Sequence, residues 1–88
     1  MSEIVIALKL GITLNNYRNL LNGKADIGTA SKLGIITNSL QDFLNGKANI
    51  FIASKLGILN IDLQLILNNI GQKGAIGIII GLLMRQSN

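Results

Sequence analysis

The six-residue pattern Ala-x-Lys-Leu-Gly-Ile occurs three times in this chain, at residues 7–12, 30–35 and 53–58, with the same spacing between successive copies. The agreement extends further, since Leu-Asn-Gly-Lys-Ala at 21–25 returns at 44–48. A fixed period of this length is typical of tandem arrays, in which each unit buries its apolar side against its neighbours. We therefore expect one domain over residues 1–88, with units at about 3–25, 26–48 and 49–71 and an apolar segment at 72–88.

Short apolar stretches at helical spacing alternate with Gly, Asn, Asp and Ser, and the chain has no proline. This pattern predicts an all-α fold of short helices joined by tight turns, with two helices in each unit. The helices are expected near residues 3–10, 14–22, 26–33, 38–45, 49–56 and 60–69.

Polar residues at the helix ends predict how each helix begins and stops. Asp26 and Asn49 can cap helix starts, and Gly34 suits the left-handed position just after a helix. Asn38 and Gln41 have the spacing of a capping box. Six asparagines recur at two repeat positions; we expect helix starts at Asn15, Asn38 and Asn60 and left-handed helix ends at Asn22, Asn45 and Asn68.

The segment 74–84 contains eleven almost uninterrupted apolar or glycine residues, whereas a helix needs about twenty to cross a bilayer. A membrane span is therefore not expected. We predict a C-terminal helix there, with a strand as the alternative because Ile78, Ile79 and Ile80 are β-branched. This helix either closes the core or mediates self-association, in which case Ile78 and Leu82 would be interface residues.

Composition limits the chemistry that is available. The chain has no cysteine and no histidine, and its four acidic residues are scattered. These facts argue against disulfides, a metal site, a cofactor, a small-molecule substrate and enzymatic activity. Eight Lys and Arg against four acids give a net charge of +4, which suits an anionic partner. The N-terminal residues carry no basic region ahead of an apolar run, so we expect a cytoplasmic protein.

The repeated unit resembles the helix-turn-helix of phage repressors of the Cro type. The middle unit has the small residue, glycine, aliphatic and later apolar residues of that pattern at Ala30, Gly34, Ile35, Leu40 and Phe43, and the other two units match it at the same offsets. The resemblance covers roughly residues 3–70 and implies a DNA-binding transcriptional regulator. It departs from the family because the units overlap and share helices, so at most one or two second helices can enter DNA.

The residues that would face double-stranded DNA come from the first two units: Thr13, Asn15, Asn16, Arg18, Asn19, Lys24, Thr37, Asn38, Ser39, Gln41 and Lys47. Amide, guanidinium and hydroxyl groups can pair with base edges, and Lys with phosphate. Arg18 and Asn19 are the strongest candidates because neither has an evident structural role. Asp42 weakens the second unit. In the third unit Ile61 and Leu65 replace polar residues, which indicates a packing or homodimer face.

The sequence is also compatible with two alternatives to DNA binding. A helical repeat scaffold would use the same geometry to bind a protein or itself. A basic protein at the membrane surface would use the aliphatic tail between Lys73 and Arg85.

Overall fold

The computed structural model describes the backbone of residues 2–86 and the side chains of residues 2–82, so residues 87 and 88 of the expected C-terminal segment lie outside the described residues. Within this part of the chain all regular structure is helical: α1 Glu3–Leu10, α2 Leu14–Leu21, α3 Ile27–Leu33, α4 Thr37–Leu44, α5 Ile50–Leu56 and α6 Asn60–Gln86. The predicted all-α class is confirmed, and the C-terminal segment is a helix rather than a strand. The starts of α2, α4 and α6, at Leu14, Thr37 and Asn60, are equally spaced along the chain.

The turn after α1 explains the Ala-x-Lys-Leu-Gly-Ile pattern. Gly11 ends α1 with a φ of 74°, and the amide of Ile12 donates to the carbonyl of Ala7 at 3.1 Å. Only glycine adopts this left-handed conformation at little cost, and the bond satisfies a free carbonyl at the helix end. Gly34 and Gly57 end α3 and α5 in the same way, with φ of 72° and 73°.

The residues predicted to cap the helices are confirmed only in part. Asp26 and Asn49 cap α3 and α5 as expected, and Thr13 caps α2. The predicted capping box at Asn38 is wrong, because α4 begins after Ile36 without a side-chain cap. The other asparagine assignments are confirmed only in part. Asn60 begins α6, whereas Asn15, Asn38 and Asn68 lie inside helices. Asn22 and Asn45 end α2 and α4, but with negative φ rather than in the left-handed region. Gly23 and Gly46 take the left-handed positions instead.

The last helix holds the fold together. α6 contacts each of the other five helices. Its helical path is broken at Gly71, where φ is 68° and ψ is −170°, and the segment after this break turns back towards α2. Gln72 Nε2 donates to the carbonyl of Leu21 at 3.2 Å. Buried residues of this segment complete a core whose fully buried members include Leu20, Leu33, Phe43 and Leu63.

Burial decides between the two interpretations of the C-terminal helix. Ala75, Ile76, Ile79 and Leu82 are buried within the chain, and Ile78 packs against the same core. The segment therefore closes the core, and the expectation that Leu82 forms an intermolecular contact is wrong because its side chain is only 6 % exposed.

By length and composition alone, the stretch Asn60–Leu82 could cross a membrane. The break at Gly71 and the buried side chains on both sides of it fit a core helix equally well.

Neighbouring units are joined by one repeated glutamine. Gln41 on α4 reaches back to the loop before α3, where its Oε1 accepts from the amide of Ala25 at 2.8 Å and its Nε2 donates to the carbonyl of Gly23 at 2.7 Å. Gln64, at the equivalent position of the next unit, makes the same pair of bonds to Ala48 and Gly46 at 2.7 and 2.9 Å. We call these contacts the glutamine clamps. They satisfy backbone groups of one unit from the next and fix how the units stack.

Candidate nucleic-acid interface

The first unit consists of two short helices joined by a tight turn. α1 and α2, of eight residues each, are joined by the three residues 11–13. Thr13 Oγ1 accepts from the amide of Asn16 at 3.0 Å, so α2 has a defined start. Tyr17 and Leu20 are buried and attach one side of α2 to the core. The opposite side of α2 is therefore turned outwards.

This outward side carries four polar residues. At 100° per residue, Asn15, Arg18, Asn19 and Asn22 lie within about 100° of one another and opposite Tyr17. Asn15, Arg18 and Asn22 are exposed, and Asn19 is half-buried. We call these four residues the α2 face. An amide or guanidinium group on such a face is free to meet base edges or phosphate.

Arg18 is not as free as the sequence indicated. Its Nε lies 3.2 Å from Glu3 Oε2 in an exposed ion pair. Arg18 therefore has a structural partner, contrary to the sequence-based expectation, and the α2 face has an acidic neighbour. An exposed pair of this kind contributes only about 0–1 kcal/mol, so a phosphate or base can compete with Glu3 for the guanidinium.

Two further residues of the first unit differ in their surroundings. Lys24 is exposed just beyond α2, and its amide donates to the carbonyl of Asn19 at 2.9 Å, which fixes the backbone of this lysine next to the α2 face. Asn16 is half-buried, and its Nδ2 lies 3.3 Å from the position that a Cβ on Gly28 would occupy. Asn16 is thus turned towards the start of α3 rather than towards the α2 face.

The second unit offers fewer free groups than the sequence predicted. Ser39 is 2 % exposed and Gln41 is held in its clamp, so assigning these two side chains to DNA contact is wrong. Thr37 is half-buried, as is the acidic Asp42. The predicted DNA-contacting residues that remain exposed here are Asn38 and Lys47. The first unit is the better candidate for an interface.

The repeated lysines of the first helices have a role that sequence reasoning missed. Lys32 Nζ lies 3.3 Å from the position of a Cβ on Gly11, and Lys55 Nζ lies 3.1 Å from the corresponding position on Gly34. Each ammonium group therefore sits at the C-terminal end of the first helix of the preceding unit, where positive charge is favourable. The signal was present in the sequence, because these lysines and glycines recur with the same period.

The third unit has apolar residues at two of the four positions of the α2 face, and polar residues at the other two. Ile61 and Leu65, which the sequence placed at an interface, are 68 % and 57 % exposed. Leu59, Ile66 and Ile70 are exposed beside them, at 68 %, 40 % and 38 %. We call these five residues the α6 face.

No protein family model, curated protein or solved structure matches this chain.

Proposed function

We propose that this chain is a small DNA-binding protein that inserts α2 of its first unit into the major groove of double-stranded DNA, as a transcriptional regulator would. The observation that carries the proposal is the α2 face, four polar residues on the outward side of α2 and at its C-terminal end. The eight residues of α2 span about 12 Å, and the major groove is about 12 Å wide. The net charge of +4 supplies long-range attraction to the phosphates.

Each polar group has a chemical role in this arrangement. Asn15 is suited to bidentate pairing with adenine, and Arg18 to pairing with guanine or phosphate once it leaves Glu3. Lys24 contacts the phosphate backbone and contributes affinity without sequence preference. Only the first unit engages a groove, because packed helices are about 8–10 Å apart whereas successive turns of the major groove are about 34 Å apart.

A binding assay with matched variants tests the proposal. Fluorescence anisotropy with a labelled random duplex should show an affinity that falls steeply as salt rises. We expect Arg18→Ala to weaken binding about tenfold. Glu3→Gln should strengthen it, because the substitution frees Arg18 and removes a negative charge. A merely structural role for the ion pair would instead make both variants weaken binding together.

The repeat supplies an internal control for the same assay. Lys24 and Lys47 occupy equivalent positions in the first and second units and are both exposed. Lys24→Ala should reduce affinity and lower the salt slope by about one, whereas Lys47→Ala should do much less. Equal losses would refute the assignment to the first unit, and no duplex binding at low salt would refute DNA binding altogether.

The glutamine clamps favour a second candidate function, that of a helical repeat scaffold. Clamps that recur at the same position of successive units are what an array needs when its stacked units provide a continuous binding surface. A scaffold would show no binding of the duplex at low salt, or binding that does not depend on salt, and Arg18→Ala would not change it. The same anisotropy series therefore separates the two candidates.

A further inference from the structure

The α6 face stands at a repeat position that is polar in the other units. Ile61 is equivalent to Asn15 and Asn38, which are both exposed. Leu65 is equivalent to Asn19 and Asp42. Two of the four positions on the outward side of the second helix therefore change from polar to apolar, and they do so only in the third unit. The terminal repeat of a soluble array needs a polar outer face. In the third unit, by contrast, these two positions are apolar.

A second repeat position is buried in the first two units and exposed in the third. Leu20 and Phe43 are fully buried in the first and second units, whereas the equivalent Ile66 is 40 % exposed. The chain after Gly71 leaves Ile66 exposed; its first residue, Gln72, donates instead to the carbonyl of Leu21 at the end of α2. The α6 face is thus a stacking surface without a partner in its own chain.

Charge and polarity narrow the choice of partner. Between Lys55 and Lys73 the sequence contains no cation, and its one charged residue is Asp62. This composition disfavours a nucleic acid or an anionic bilayer at the α6 face. Polar residues are interspersed among the apolar ones near the two ends of this stretch, with Asp62 in the first turn of α6 and Asn68 and Asn69 before the break. A helix with an acid at one end and amides at the other complements a second copy of itself running in the opposite direction.

We propose that the α6 face binds the α6 face of a second copy of this chain, in an antiparallel two-fold homodimer. Leu65, in the middle of residues 60–70, lies next to its own counterpart in this arrangement. Asp62 of each copy lies opposite the amide end of the other, where asparagine side chains can donate to its carboxylate. The dimer does not depend on DNA binding and leaves the α2 face of each copy outside the contact.

Sedimentation equilibrium of the full chain over a range of concentrations tests the dimer. We expect a mass that rises from one to two chains for the wild type. Ile61→Asn and Leu65→Asn introduce the residue type found at the equivalent positions of the first unit, so the helix is retained, and they should weaken the dimer at least tenfold. Asn38→Ala, at the equivalent position of the second unit, is the matched control and should leave the dimer unchanged.

Cysteine cross-linking tests the two-fold geometry, because the native chain has no cysteine. Leu65→Cys should form an intermolecular disulfide efficiently, and Ile61→Cys should do so poorly unless it is mixed with Asn69→Cys. A monomer at every concentration, or a dimer that is insensitive to Leu65→Asn, would overturn the proposal. Cosedimentation with neutral phosphatidylcholine vesicles in the absence of self-association would also overturn it, since a bilayer would then cover the α6 face.

Discussion

Replacing Gln41 with alanine removes one glutamine clamp and leaves the helix that carries it intact. The amide of Ala25 loses the acceptor 2.8 Å away and the carbonyl of Gly23 loses the donor 2.7 Å away. Each bond to a backbone group contributes about 1 kcal/mol, and water can reach these half-buried groups in the variant. We therefore expect Gln41→Ala to lower the free energy of unfolding by about 1.5–2 kcal/mol. For a chain of this size, that loss lowers Tm by roughly 10 °C.

Urea denaturation followed by circular dichroism measures the loss, which should appear as a lower midpoint with an unchanged m-value. Gln64→Ala removes the equivalent clamp and should cost a similar amount. The third bond of Gln41, to Asn45 Oδ1 at 3.2 Å, is exposed, so Asn45→Ala is the matched control and should cost under about 0.5 kcal/mol. If both glutamine variants cost no more than this control, the idea that the clamps hold the units together is refuted.

The stability effects of four further substitutions can be measured in the same way. Gly34→Ala places a side chain on a residue with a φ of 72° and should lower the free energy of unfolding by about 1–2 kcal/mol. Gly77 lies in a helix and has no atom within 4 Å of an added Cβ, so Gly77→Ala should raise the free energy of unfolding by about 0.5–1 kcal/mol. Equal effects of the two substitutions would contradict this explanation. Among the described residues, Thr29 Oγ1 is buried without a hydrogen-bond partner, so Thr29→Val should stabilise the protein by about 1 kcal/mol, and a destabilised variant would reveal a partner for the hydroxyl. Thr13→Ala removes the cap of α2 and should cost about 1 kcal/mol; an unchanged midpoint would show that α2 does not need the cap.

The sequence predicted the helices and their glycine ends because those features depend on neighbouring residues. The left-handed turn at Gly11 follows from a pattern only six residues long, and the three copies agree on it. The caps were harder to place because Thr13 and Asn15 are both good capping residues two positions apart. The choice between them depends on where α2 meets the core, which a local pattern does not contain.

The candidate site was less predictable because its decisive contacts join residues distant in sequence. Arg18 and Glu3 are 15 residues apart, and Gln41 and Gly23 are 18 apart. The repeat held a usable signal, since Gln41 recurs as Gln64 whereas the first unit has Arg18 at the same position. A polar residue that recurs only in units preceded by another unit is expected to contact that preceding unit, so the repeat favours packing over DNA contact for Gln41.

The most direct test of DNA binding by the first unit is an NMR titration of the labelled protein with a short random duplex. We expect the largest amide shift changes in α2 and its flanks, from Thr13 to Lys24, with small changes in α4 and in the α6 face. Changes concentrated at residues 59–70, or no changes at low salt, would contradict the assignment of α2 as the helix that enters the groove.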